Sequence, residues 1–151
     1  RNLKNKKYSF HKIALGSKKG KKIINVEKEI GRSTLLKVTK KNFEGKPIAR
    51  LKINVDTLDS IIQKIKTKGT FGIKIDVEGY ELEVLKGAKN TLKKTNFVIV
   101  EARHNHITFE NQYKLSDLMN LMTKNKFVLT QILSAKPFIA DLCFQPLRIL
   151  K

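Results

Sequence analysis

The 151 residues of this chain suffice for one domain with a buried core, and they contain no apolar run long enough to span a membrane. The single cysteine, Cys143, excludes an intramolecular disulfide and fits a reducing compartment, so we expect a cytoplasmic protein. The net charge of +19 comes from 27 lysines and 5 arginines spread along the chain, which favours a solvated surface over a nucleic-acid site, where arginines and aromatics would be interleaved.

The first third of the chain is predicted to be mostly β-structure, because short apolar runs are separated by turn residues. Strands are predicted at residues 8–15, 21–28 and 48–55, with a short strand or irregular piece at 31–38 and a loop at 41–47. A helix then follows, with Asp56 or Thr57 as its cap and Gly69 at its end.

The second half of the chain alternates strands and helices. Strands are predicted at residues 70–77, 96–103, 127–133 and 138–147, and helices at 80–95 and 115–126. Ser116 is the predicted cap of the second helix, and the continuous apolar run in 96–103 predicts a strand that is buried on both faces. This order predicts an α/β domain with a largely parallel sheet that ends in an antiparallel strand pair.

Polar side chains follow two of these strands. Asp76 and Glu78 end the strand over 70–77, and Glu101 and His104 end the next strand. Because ligands bind beyond the carboxyl ends of parallel strands, we expect these four residues to share one edge of the sheet. The alternative for Asp76 and Glu78 is that they only complement the positive end of the following helix, and a loop histidine is usually a bystander. Glu81 is interpreted as an ordinary exposed glutamate of a first helical turn.

The segment "IKIDVEGYELEVLKGAKNTLKKTNFVIVE", residues 73–101, resembles the signature of the FkbM family of S-adenosylmethionine-dependent methyltransferases. That family shows a strand ending in KIDVEG, then E-x-x-x-L-x-G-A, then a strand ending in Glu. Other stretches agree with the family in order: "HKIALGSKKGKKIINV" (11–26), "GRSTLL" (31–36), "INVDTLDSII" (53–62) and "IADLCFQP" (139–146). The resemblance covers nearly the whole chain.

The resemblance implies a Rossmann-like class I methyltransferase sheet with a terminal antiparallel strand pair. It also implies that residues 1–151 form a single partial domain, N-terminally truncated to roughly the C-terminal two-thirds of the family's fold. A complete domain of this type begins with a Gly-rich turn and a strand ending in an acid, and the eight glycines here never form G-x-G. We therefore expect this isolated fragment to be inactive.

S-adenosylmethionine is the cofactor that the resemblance implies. In the related fold, the turn after the third strand contacts the adenine, and this turn corresponds to Ala14, Leu15 and Gly16. An ordinary strand exit is the alternative interpretation of these three residues. No metal site is predicted, because no ligand spacing supports one.

The activity implied by the resemblance is O-methylation of a hydroxyl on a sugar or small metabolite. Asp76 and Glu78 would face the methyl group and the acceptor, and either could remove the hydroxyl proton or orient the acceptor. Glu101 and His104 form the second candidate catalytic pair.

Two alternatives to an enzyme follow from the composition. The chain could be a non-catalytic basic remnant that binds polyanions such as nucleic acid, or a structural partner of an active methyltransferase. We expect a small-molecule or glycan acceptor and no nucleic-acid partner. The residues select neither the acceptor nor an oligomeric state.

Overall fold

The computed structural model describes residues 8–29, 31–37, 47–65, 69–104 and 107–150. In these ranges the elements are β1 (Ala14–Leu15), β2 (Gly20–Val26), β3 (Ala49–Asp56), α1 (Leu58–Ile65), β4 (Phe71–Ile75), α2 (Glu81–Lys86), α3 (Lys89–Leu92), β5 (Thr95–Arg103), α4 (Leu115–Lys124), β6 (Phe127–Ala135), β7 (Ile139–Pro146) and a short 3-10 helix (Leu147–Ile149). Over this part of the chain, no helix combines the length and apolar character needed to cross a bilayer.

The strands form two mixed sheets. In the first sheet, β3 is central and pairs parallel with β1 and antiparallel with β2. The second sheet has the order β4-β5-β7-β6, in which β4 and β5 are parallel and the other two pairs are antiparallel. The prediction of one largely parallel sheet is therefore wrong for the described residues, and the terminal antiparallel pair is confirmed. The short connection around Pro137 permits only an antiparallel hairpin between β6 and β7.

The core lies against one face of the four-stranded sheet. In β5, the alternate residues Val98, Val100 and Ala102 are fully buried, whereas Phe97 on the other face is 41% exposed. The predicted burial of this strand on both faces is therefore wrong, because one face is only partly covered. The helices contribute these buried apolar side chains to the same cluster: Val84, Leu85, Leu92, Leu118 and Met122.

The predicted helix over 80–95 is divided into two short helices at Gly87. Gly87 is buried, and a Cβ added there would overlap the carbonyl oxygen of Gly16, at the end of β1. The chain turns at this point because the backbone of the first sheet packs directly on it. A glycine is also about 1 kcal/mol poorer than alanine inside a helix.

Two predicted helix caps have different outcomes. Thr57 caps α1 as expected, because its Oγ1 accepts the backbone N–H of Ser60 at 3.1 Å. The Ser116 cap is wrong, since α4 already begins at Leu115. The carboxylate of Asp117 instead accepts the N–H of Lys114 at 2.9 Å, so an acidic side chain of the first turn satisfies the helix entrance.

The N-terminal strands are shorter than predicted. Of residues 8–15, only Ala14–Leu15 form a strand, and the segment 31–37 is irregular, with a single bridge between Asn25 and Thr34. Residues 38 and 41–46 of the predicted pieces lie outside the described residues, as do residues 66–68 of the predicted helix.

Asp59 joins α1 to the start of α3. Its carboxylate accepts the N–H of Asn90 at 2.9 Å, and both the N–H and the hydroxyl of Thr91 at 2.7 Å. We expect Asp59→Ala to lower the free energy of unfolding by about 2 kcal/mol, because three donors lose a charged acceptor. Urea denaturation measures this loss. Asp117→Ala is the control, with an expected loss of about 0.5–1 kcal/mol; an equal loss in both variants would contradict the role of Asp59.

Candidate active site

The structure brings three of the predicted site residues together. Because β4 and β5 are parallel neighbours, with Ile75 opposite Val100, the turn that follows β4 lies beside Glu101, the next residue of β5. Carboxylate oxygens of Asp76, Glu78 and Glu101 all lie within 4.8 Å of one another. The juxtaposition expected from the strand ends is therefore present.

Two cations neutralise part of this carboxylate cluster, which we define as Asp76, Glu78 and Glu101. Arg103 donates to Glu78 Oε2 at 2.6 Å, and both side chains are largely buried, with exposed fractions of 14% and 13%. Lys74 Nζ lies 3.2 Å from Asp76 Oδ2. Charge-assisted bonds of this length hold both carboxylates in defined orientations.

Lys74, Arg103 and Asp141 are site residues that sequence reasoning did not single out. Asp141 faces Glu101 across the β5–β7 pair, and its carboxylate lies 3.5 Å from Lys74 Nζ. Lys74 and Arg103 each lie two residues from an acidic member of the cluster, so strand alternation places each pair on one face. That spacing was the available signal for the two cations; Asp141 needed the pairing of β7 with β5.

Glu101 differs electrostatically from the other two carboxylates. Burial, and then the negative charges of Asp76, Glu78 and Asp141, raise the pKa of Glu101 above its ordinary value. In the part of the chain that the structure describes, Glu101 forms no ion pair. A carboxylate with a raised pKa is a stronger base, which suits Glu101 to accept a proton.

The turn after β4 has an unusual backbone conformation. Glu78 has a φ of 52° and Gly79 a φ of 91°, and a non-glycine residue in this region stores roughly 1–3 kcal/mol of strain. Glu81 stabilises the turn, since its Oε1 accepts the N–H of Val77 at 3.1 Å and that of Gly79 at 3.0 Å. The interpretation of Glu81 as an ordinary exposed glutamate is wrong: the residue is 2% exposed, because it folds back under the turn.

His104 contacts a different part of the sheet edge. Its Nε2–H bonds the carbonyl oxygen of Lys136 at 3.1 Å, and its backbone N–H donates to the carbonyl of Phe138. The histidine is thus bonded to the connection between β6 and β7, and its catalytic role stays a prediction.

The three predicted cofactor residues have separate environments. Gly16 is buried, and a Cβ there would lie 2.9 Å from Val55 Cγ1, so close packing requires this glycine. Leu15 lines an apolar groove of about 380 Å³, and Ala14 pairs with Val55 of β3. These other residues line the groove: Leu58, Ile73, Lys74, Ile75, Asp76, Val77 and Val84.

The groove fits the adenine base of a nucleoside better than its ribose. Its walls are aliphatic, and Asp76 at its rim connects it to the carboxylate cluster. Leu15 and Ile75 would hold an adenine ring there by apolar contact. The oxygen donors of the cluster would also suit a hard cation, but Arg103 and Lys74 already neutralise two of the three charges.

Comparison with known proteins identifies the family of the chain. Residues 2–129 match the model of the methyltransferase FkbM domain. Hexuronic acid methyltransferase AglP of Haloferax volcanii is 38% identical over a region that covers 40% of this chain and 30% of that protein. The chain thus spans less than a third of the length of this relative. No solved structure matches the chain. Because the family model covers most of the chain, the resemblance is confirmed: the chain belongs to the FkbM family of methyltransferases, which are typically S-adenosylmethionine-dependent.

Proposed function

We propose that the protein transfers a methyl group from S-adenosylmethionine to a hydroxyl of a sugar or related small metabolite. Membership of the FkbM family supports the reaction class. The observation that carries the proposal is the cluster of three carboxylates within 4.8 Å at the rim of an apolar groove. This places proton-accepting groups beside a surface that suits a nucleoside.

Glu101 is our candidate for the general base. Transfer to a hydroxyl requires removal of its proton, and a base works best when its pKa lies near the operating pH. Burial and the neighbouring negative charges move the pKa of Glu101 in that direction. Glu78 and Asp76 are occupied by Arg103 and Lys74, so they are better suited to accept hydrogen bonds from the acceptor.

The proposed chemistry is an in-line displacement. S-adenosylmethionine, when bound, supplies an electrophilic methyl group, whose bond to sulfur breaks as its bond to the acceptor oxygen forms. Glu101 takes the hydroxyl proton, and Asp76 orients the acceptor so that this oxygen faces the methyl group. Leu15 and the aliphatic groove would hold the apolar part of the donor.

An acidic sugar is the acceptor that we propose to test first. The relative from Haloferax volcanii is named for hexuronic acid, which supports a sugar acid. The net charge of +19 supports the same choice, because a positive protein raises the local concentration of an anionic substrate.

The test is methyl transfer by the full natural protein, with isotopically labelled S-adenosylmethionine and glucuronic acid glycosides compared with neutral glucosides. We expect Asp76→Asn and Glu78→Gln to lower turnover at least about 100-fold, because each removes a charge that orients the acceptor. Calorimetry should show donor affinity within a few-fold of that of the unaltered protein. Glu110→Gln, at an exposed carboxylate 3.8 Å from Lys37, is the matched control. Near-normal turnover in both cluster variants would show that the site is wrong.

A further inference from the structure

The position of the Glu78 side chain depends on a backbone conformation that glutamate rarely adopts. Glu78 has a φ of 52°, in the left-handed region that favours glycine. The carboxylate of Glu78 nevertheless reaches Arg103 at 2.6 Å and joins Asp76 and Glu101. A residue held in an unfavourable conformation requires surrounding contacts that enforce it.

One of these contacts comes from the segment 31–37, far away in the sequence. The Oγ1 of Thr34 donates to the carbonyl oxygen of Glu78 at 2.7 Å, across 44 positions of sequence. The same hydroxyl accepts the N–H of Leu36 at 3.2 Å, and Thr34 is 1% exposed. Backbone bonds in both directions to Asn25 fix Thr34 itself. The hydroxyl is thus a buried donor and acceptor with both functions satisfied.

The second contact comes from Glu81, on the other side of the turn. Its Oε1 accepts the N–H of Val77 and the N–H of Gly79, the two residues that flank Glu78. Thr34 therefore bonds the carbonyl of Glu78, and Glu81 bonds the N–H groups of the residues on either side of Glu78. Neither side chain bonds the Glu78 carboxylate, which stays directed at Arg103.

We propose that Thr34 and Glu81 are positioning residues, which together hold Glu78 in the conformation that presents its carboxylate to the acceptor. This inference rests on the proposed function for the role of Glu78, but the positioning itself is a geometric property of the turn. Thr34 acts through the carbonyl of Glu78, and Glu81 acts through the backbone N–H groups of Val77 and Gly79. Val77 also lines the groove, but the hydrogen bond from Glu81 reaches only its backbone.

The principal test compares Thr34→Val with Thr34→Ser in the full natural protein. Valine keeps the shape of threonine but removes the hydroxyl, and serine keeps the hydroxyl. We expect Thr34→Val to lower kcat at least about tenfold with the KM for S-adenosylmethionine within twofold, and Thr34→Ser to stay within about threefold of the unaltered protein. Rates are normalised to the folded fraction, which is obtained by titration with the donor, so that lost stability alone cannot lower kcat.

A second variant covers the case in which Thr34→Val does not fold. Glu81→Gln keeps an acceptor oxygen but loses the charge that strengthens both N–H bonds, and we expect kcat to fall about threefold to tenfold, with the same split between kcat and KM. Unchanged kcat in the folded variants would overturn the proposal.

A structural readout separates this proposal from the proposed function. In a crystal structure of Thr34→Val, or of Glu81→Gln if the first does not fold, we expect Glu78 to leave its positive φ and its bond to Arg103. If the unaltered protein methylates no sugar acceptor, the proposed function fails, and this structure alone decides the positioning. An unchanged Glu78 conformation in the variant would overturn it.

Discussion

Glu101→Gln is expected to reduce methyl transfer at least about 100-fold, because glutamine cannot accept the hydroxyl proton. In the unaltered protein, activity should rise with pH through the raised pKa of Glu101, since only the ionised carboxylate can act as the base. The residual activity of the variant should lack this rise. A rate profile from pH 5 to 9 under saturating donor measures both effects.

The same substitution is expected to increase stability at neutral pH. Burial, together with the charges of Asp76, Glu78 and Asp141, raises the pKa of Glu101 in the folded state above 4.5, its ordinary value in an unfolded chain. Between the unfolded and the folded pKa, the folded state therefore binds more protons than the unfolded state. The stability of the unaltered protein therefore falls as the pH rises from the unfolded pKa through the folded pKa, and this penalty remains above it. Glutamine carries no charge and removes the penalty.

The expected gain from Glu101→Gln is at most about 1 kcal/mol, because solvent screens a carboxylate that is only partly buried. Thermal unfolding at pH 5 and pH 8 measures the gain, which should be larger at pH 8. Glu29→Gln is the control, because Glu29 is exposed and pairs only with Arg32 among the ion pairs of the described residues. Lost activity without this gain would indicate that Glu101 is a structural residue rather than a strained functional one.

Gly87→Ala is expected to lower the free energy of unfolding by about 3 kcal/mol and the Tm by about 6–12 °C. The added Cβ would overlap the carbonyl oxygen of Gly16 and would lie 3.3 Å from Thr57 Cβ. Backbone atoms cannot move aside as a flexible side chain can, so the first sheet must shift away from the helices. The φ of Gly87 is −87°, which alanine adopts readily, so the expected loss is steric.

Gly20→Ala is the matched control for this prediction. Gly20 lies in β2, and a Cβ there would meet no atom within 4 Å. Urea denaturation of both variants measures the difference directly. If the free energies of unfolding of Gly87→Ala and Gly20→Ala agreed within about 0.5 kcal/mol, Gly16 and Gly87 would not be in close backbone contact.

The sequence predicted the order of elements better than their pairing. The strands at 70–77 and 96–103 have clear apolar patterns, so the two acid-bearing strand ends could be assigned to one edge of a sheet from these patterns alone. The order β4-β5-β7-β6 could not be predicted in the same way, because β5 pairs with β7, a strand that lies far from it in the sequence. Asp141 entered the site through that pairing.

The failed predictions at the helices have a related cause. The pattern over 80–95 has helical spacing throughout, and only the close approach of Gly16 shows why the helix must stop at Gly87. Glu81 also has the spacing of a first-turn glutamate, and its burial follows from the fold of the turn above it. A local sequence pattern indicates only the helix propensity of a segment, and tertiary contacts can override that propensity.

By itself, the sequence determined the family, the α/β order of elements and the two strand ends that carry Asp76, Glu78 and Glu101. Each of these features depends on patterns of neighbouring residues in the sequence. Only the tertiary structure decided how the carboxylates are held. Glu78 meets Arg103 across 25 positions and Thr34 across 44. The raised pKa of Glu101 depends first on burial, then on the charges of Asp76 and Glu78, and then on Asp141 of a third strand. Such contacts leave no local pattern, because the chain makes them only after its distant segments have packed together.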